Sequence, residues 1–118
     1  MSDVKITVGG EMEADASRRF IDAWHRGERG EMFRQRHLAF ESWEALARVM
    51  TNRRMEVLRY VRRNDVVSIR ALAKALGRDY SNVHADVHAL TAAKLLGSSE
   101  GRIRADYDTI ETTIAILV

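Results

Sequence analysis

The chain has 118 residues, 46% of them hydrophobic, with a formal net charge of +2. That suits one compact domain with an N-terminal arm or subdomain. It has no cysteine, which excludes disulfides, thiolate catalysis and cysteine-based zinc sites; no apolar run nears the roughly 20 residues that span a bilayer, and Met1 to Lys5 hold no signal-peptide core, so a soluble, cytoplasmic protein is expected.

In chain order, Val4 to Val8 alternates apolar and polar before Gly9-Gly10 and reads as a short strand. Glu11 to about Arg26 reads as an amphipathic helix with Ala16, Phe20, Ala23 and Trp24 on one stripe, and Gly27 to Gly30 as a loop. Gln35 to Phe40 is a second, weaker strand. Ser42 offers an N-cap for a helix to about Met50 that uses Leu46, Val49 and Met50. Thr51 caps the next helix, Asn52 to Arg63, with Met55, Leu58 and Val61 or Tyr60 facing inward.

The stretch from Ser68 to Ala105 reads as a single module. Val66-Val67 just before it is a short strand. In Ile69–Leu76 the apolar Ile69, Leu72, Ala73 and Leu76 fall at i, i+3, i+4 and i+7, with Ser68 at the N-cap and Gly77 at the end. A second helix, Tyr80 to Ala92, carries Val83, Val87 and Leu90 on its inner stripe. Small Ala73 lets the two helices cross closely, as a helix-turn-helix requires. A hairpin follows: Leu95 to Ser98, a turn around Ser99-Glu100-Gly101, then Arg102 to Ala105. This order predicts a winged helix, in which Val66-Val67 pairs with the wing. Asp106 to Asp108 is turn-like, and Ile110 to Val118 closes the chain as a strand whose Ile110, Ile114, Ile116 and Val118 share one parity. Unpaired, it would be an aggregation-prone edge; its natural partner is the Val4–Val8 strand, in the same chain or in a second one, and a homodimer built from the terminal segments is the expectation. The fold class is therefore α+β, mainly α: a winged helix-turn-helix (51–105), an N-terminal strand–helix–strand–helix extension (1–50) for dimerisation or partner binding, and a C-terminal strand (106–118).

Charge follows the same division. Residues 1–50 have a net charge of −1, residues 51–104 hold 11 basic and 5 acidic side chains for a net +6, and the tail is −3. Phosphate binding depends on such clustering more than on the total.

At 100° per residue, Ser81, Ala85, His88 and Ala92 point away from the Val83 stripe, with Asn82 and Ala89 on one flank and Tyr80 and His84 on the other. This outward face is small and hydrogen-bonding. A helix in the major groove reads bases mainly with its N-terminal half. Asn82 suits an adenine edge, Ser81 a base or phosphate, Ala85 a thymine methyl, and His84 and His88 phosphates or guanine acceptors. No arginine lies inside this helix, so recognition leans on A·T steps, shape and the wing. Arg53 and Arg54, Arg70, Lys74 and Arg78 surround it as phosphate-positioning charges, and Arg102 and Arg104 share parity on the hairpin, where an arginine suits a narrow minor groove.

His84 and His88, at i and i+4, invite a metal reading. The metalloprotease pattern wants Glu after the first histidine, where Ala85 stands, and no third ligand is near; no metal or cofactor is expected. Asp86 reads as a structural acceptor for Arg70 or Arg78. Trp24, Trp43, Phe20, Phe33 and Phe40 read as core or dimer-interface aromatics, His25 and His37 as surface histidines, and Met12, Met32, Met50 and Met55 as packing. No nucleophile–base pair, phosphate-cradling loop or paired catalytic carboxylates are present, so the chain does not read as an enzyme.

The stretches Thr51–Leu58 and Leu72–Leu90, with the run Gly77-Arg78-Asp79-Tyr80-x-Asn82-Val83-His84-x-Asp86-Val87, resemble the DNA-binding winged-helix proteins of bacteria and archaea. Phe40 to Leu46 is similar to them too, so the resemblance covers most of the chain. Ser81 and Ala85 stand where that family often carries Lys or Arg. The resemblance implies sequence-specific double-stranded DNA binding as a dimer and autorepression of a small operon, and, from the family members encoded beside a toxin, the role of antitoxin in a toxin–antitoxin pair. The alternative is an interaction module whose residues 1–50 neutralise a cognate toxin, with DNA binding secondary.

Overall fold

The structure is a computed structural model that describes residues 3–9 and 35–116. The expected helix from Glu11 to Arg26 and its loop, with Trp24, Phe20, Phe33, His25, Met12 and Met32, lie outside the described residues. The architecture is α+β. The chain divides into two compact units, one formed by residues 1–46 and 107–118, the other by residues 47–106. No helix among the described residues is long and apolar enough to cross a membrane.

The first unit holds a three-stranded parallel sheet. β1 (Asp3–Val8) lies between β2 (Gln35–Phe40) and β5 (Thr109–Ile114), with Ile6 opposite Leu38 on one side and Thr112 on the other. The alternation read in Val4–Val8 has its physical outcome here: Val4, Ile6 and Val8 are buried, while Lys5 and Thr7 are half-buried. Lys5 Nζ meets Glu111 Oε2 at 2.7 Å, and Thr109 Oγ1 donates to Asp3 Oδ1 at 2.6 Å, tying β5 to β1. The two terminal strands thus pair within one chain. β5 is shorter than the expected strand, and its shared parity is not a core stripe: Ile110 is half-buried, but Ile114 and Ile116 are 48% and 93% exposed. Trp43, expected in the core or a subunit contact, is 56% exposed.

After β2 comes α1 (Trp43–Val49), where the Ser42 hydroxyl accepts from Ala45 N–H at 3.2 Å. The second unit is built from α2 (Asn52–Arg63), α3 (Ile69–Leu76), α4 (Tyr80–Ala92) and the antiparallel pair β3 (Gly97–Ser99) and β4 (Arg102–Arg104). Side chains written at the helix starts supply the caps: Thr51 Oγ1 accepts from Arg54 N–H and Ser68 Oγ from Ala71 N–H. Gly77 closes α3 in the left-handed region, at φ 65°, where only a residue without Cβ is unstrained. At the end of α4, Lys94 takes the same conformation and Leu95 N–H returns to Leu90 O at 2.9 Å, turning the chain toward β3 with Leu95 and Leu96 buried. The β3–β4 turn is the two residues Glu100 and Gly101, both at positive φ, so Ser99 belongs to the strand. Val66 bridges Ile103, whose N–H donates to Val66 O at 3.0 Å.

Val57, Leu58 and Val61 of α2, Leu72 and Ala73 of α3, and Val83, Val87 and Leu90 of α4 form this unit's core. On α2, Val57 takes the inward place expected of Met55, which is only half-buried, and of the two inward candidates it is Val61 that is buried and Tyr60 that is not.

Tyr107, in the same unit as the parallel sheet, is buried, and that burial pushes its phenol up from 10.0 to about 12, with the Arg36 guanidinium pulling in the opposite direction. A phenol that binds its proton more tightly folded than unfolded stabilises the fold below pH 10, and that contribution is lost as pH rises through about 12. Thermal unfolding across this range is expected to show the midpoint falling between pH 10 and 12, and Tyr107→Phe to remove the phenolate absorbance step near 12. A last tyrosine step that survives Tyr107→Phe unchanged would contradict this.

Candidate nucleic-acid interface

α4 has two unlike sides. Inward lie Val83, Val87 and Leu90, and among them Asp86, a buried carboxylate on an otherwise apolar stripe. A carboxylate there needs donors, since burying an unpaired charge costs several kcal/mol, on the order of a whole domain's margin. It has two. Arg54 Nε donates to Oδ1 at 3.2 Å and Arg78 Nη2 to Oδ2 at 2.7 Å, with the three side chains between 12% and 19% exposed. Arg54 also donates through Nη1 to the carbonyls of Arg48, at 2.7 Å, and Val49, at 3.1 Å. Those carbonyls end α1 and lack helical partners, so one guanidinium caps a helix and holds α4.

Of the two donors expected for Asp86, Arg78 is found; the second is Arg54, expected as a phosphate-positioning charge, and not Arg70. Arg70 instead sits over the Tyr80 ring, 5.3 Å from its centroid. Arg78 itself is turned inward, with Nε and Nη1 also buried, so it acts on the inside of the turn and is poorly placed as a surface charge. The signal for a partner was in the sequence, an acid on an inner stripe. Which arginine answers it depends on how α2 packs on α4, and no local pattern carries that.

Outward, Tyr80, Ser81, Asn82, His84, Ala85 and His88 are all exposed. Tyr80, His84 and His88, each four residues apart, form a column: Tyr80 and His84 centroids are 5.8 Å apart at 42°, and His84 and His88 are 5.6 Å apart and stacked. Around the helix, the small side chains of Ser81 and Ala85 fall between this column and Asn82. Among the described residues, no group of three or more side chains that could hold a metal ion occurs.

Arg70 and Lys74 on α3 and Arg53 on α2 are exposed; Arg53 lines a shallow pocket of about 390 Å³ with Gly77 and Asp79 of the α3–α4 turn. On β4, Arg102 Nε meets Asp65 Oδ1 at 3.3 Å in an exposed pair, of the kind worth at most about 1 kcal/mol and readily exchanged for another anion. Arg104 is half-buried, with its Nε fully buried, and lines a pocket of about 210 Å³ with Arg62, Arg63, Asp65 and Asp106. The sequence-derived residues therefore gather on one unit, but as an exposed set (Arg53, Arg70, Lys74, Tyr80, Ser81, Asn82, His84, Ala85, His88), a half-buried pair (Arg102, Arg104) and one internal member (Arg78).

A family model described as HVO_A0114 matches residues 49–112, more than half of the chain and all of the second unit from Val49 onward. The chain belongs to the HVO_A0114 family. The matched HVO_A0114 segment contains every residue of the interface just described, together with Arg54 and Asp86. No curated protein matches the chain, and no solved structure does.

Replacing Asp86 with Ala strands two buried guanidinium groups and is expected to cost about 3–5 kcal/mol in urea unfolding. Arg70→Ala, at an exposed cation–π contact, is expected to cost no more than about 1 kcal/mol. Equal, small effects from the two would contradict the inward clamp.

Proposed function

We propose that this chain is a sequence-specific, double-stranded-DNA-binding transcriptional regulator, an autorepressor of its own operon acting in the cytoplasm as a homodimer. In this reading α3 and α4 are a helix-turn-helix, β3–β4 is its wing, and the whole of the second unit is a winged helix. The observation that carries it is the two-sidedness of α4: its inner side is fastened by apolar packing and by Asp86, while its outer side offers small, hydrogen-bonding, exposed residues beside exposed Arg53, Arg70 and Lys74.

The N-terminal half of α4 enters the major groove. Asn82 pairs with the N6 and N7 edge of an adenine, Ala85 contacts a thymine methyl, and Ser81 bonds a base or a phosphate. His84 and His88 donate to phosphates or guanine acceptors. Arg53, Arg70 and Lys74 neutralise phosphates and fix the register without reading sequence. Arg102 leaves its weak pair with Asp65 for the minor groove. Arg78 serves as a positioning residue: it keeps the turn closed on Asp86 and so sets how α4 is offered. The reading makes no use of catalysis, a metal or a cofactor.

Selection of binding sites from random duplexes, followed by titration at several salt concentrations, tests this. The expected result is an A·T-rich inverted repeat with salt-sensitive affinity. Asn82→Ala should cost about 1–3 kcal/mol at one adenine position and relax preference there, whereas Lys74→Ala should weaken all sequences alike and lower the salt slope by about 1. Equal, weak binding to every duplex, or an Asn82→Ala variant with unaltered preference, would overturn it.

A further inference from the structure

Among the described residues the parallel sheet has two outer edges, and they differ in kind. β2 carries Gln35, Arg36 and His37, the polar and charged residues that discourage another strand from adding. β5 reads Thr-Ile-Glu-Thr-Thr-Ile and continues into Ala115 and Ile116. Its one charge, Glu111, is already held by Lys5 at 2.7 Å. It has no Pro and no Lys, and among the described residues its sheet neighbour is β1 alone.

The direction of its main chain is fixed as well. Ala115 N–H donates to Val8 O at 3.1 Å, so the odd-numbered positions of β5 face β1. Alternation then turns the N–H and C=O groups of Ile110, Thr112 and Ile114 outward. Among the described residues no strand meets these groups, and an edge of such donors and acceptors beside exposed Ile114 and Ile116 is a template for a further strand.

We propose that the outer edge of β5 is where two copies of this chain join, β5 pairing antiparallel with its counterpart about a twofold axis at Thr112. The proposal rests on the homodimer of the functional reading and gives that dimer its contact. The occupant is a second copy because this strand is its own complement. With Thr112 opposite the partner's Thr112, Ile110 falls opposite the partner's Ile114, and Glu111 falls opposite the partner's Thr113 and not another carboxylate. The facing even-numbered positions are those whose main-chain groups point outward, so they meet as hydrogen-bonded pairs. Like residues opposite one another on an antiparallel ladder are favourable when apolar or hydroxylic and unfavourable when charged alike. The contact is isologous, so it closes at two copies and leaves no further edge of the same kind to extend.

Sedimentation of the full chain at micromolar concentration, with two variants, tests this. Wild type is expected at twice 13.4 kDa. Thr112→Pro removes an outward N–H and leaves the ladder to β1 intact, so it is expected at the monomer mass with an unchanged circular dichroism spectrum. The chain has no cysteine; Thr112→Cys is therefore expected to form an inter-chain disulfide on mild oxidation, and Ser98→Cys on the hairpin to form none at the same rate. Should Thr112→Pro unfold, the Thr112→Cys cross-link decides alone. A monomeric wild type, a folded Thr112→Pro chain that still sediments as a dimer, or cross-linking no faster at 112 than at 98 would overturn the proposal. DNA binding is read separately: a cross-linked dimer that ignores DNA sinks the functional reading and spares this interface, and a monomer that binds a single half-site sinks this interface and the homodimer but spares DNA recognition by α4.

Discussion

A single carboxylate organises the second unit. Asp86 draws Arg54 from α2 and Arg78 from the α3–α4 turn to one point, and Arg54 carries the connection on to the last carbonyls of α1. Apolar packing alone would leave α4 free to rotate by a fraction of a turn over Leu72 and Ala73, because dispersion contacts are not directional. Charge-assisted hydrogen bonds are directional. With both Asp86 oxygens engaged, the rotation of α4 is set, and with it which residues stand outside. The exposed face of Ser81, Ala85 and His88 is thus the consequence of what lies beneath it.

The same constraint divides the arginines by role. A basic chain segment looks from its composition like one electrostatic surface, yet its members are spent differently. Arg54 and Arg78 neutralise an internal acid, Arg102 is shared with Asp65, and Arg70 covers Tyr80. Arg53 and Lys74 stand in solvent. Local positive charge available to a phosphate is therefore smaller than the count of basic residues in 51–104 suggests, and the proposed reading leans correspondingly on the shape and hydrogen bonding of α4.

What was legible beforehand was local. Thr51, Ser68 and Gly77 end helices by chemistry confined to one turn of chain, and their caps appear where the residues stand. The stripes Leu72–Ala73 and Val83–Val87–Leu90 follow from period alone, as does the alternation of Val4–Val8. The pairing of the terminal strands could be anticipated because two short apolar strands need neighbours. Their parallel direction within one chain could not, since it depends on how the intervening residues return. Arg54 has the sequence signature of a surface charge, since nothing within a few residues marks its partner, which lies 32 positions away. The size of Trp43 suits a core or a contact, yet it stands at the first position of α1 and is 56% exposed. Contacts set by tertiary geometry are the part that period and capping do not encode.

The account stands or falls on whether the outside of α4 is the surface that meets DNA. Amide chemical-shift mapping of the labelled chain with a selected duplex tests this residue by residue. The predicted result is saturable shifts concentrated at Ser81, Asn82, Ala85 and His88, with smaller ones at Lys74 and Arg102. Shifts confined to the β1–β2–β5 sheet, or none beyond those given by an unrelated duplex, would contradict it.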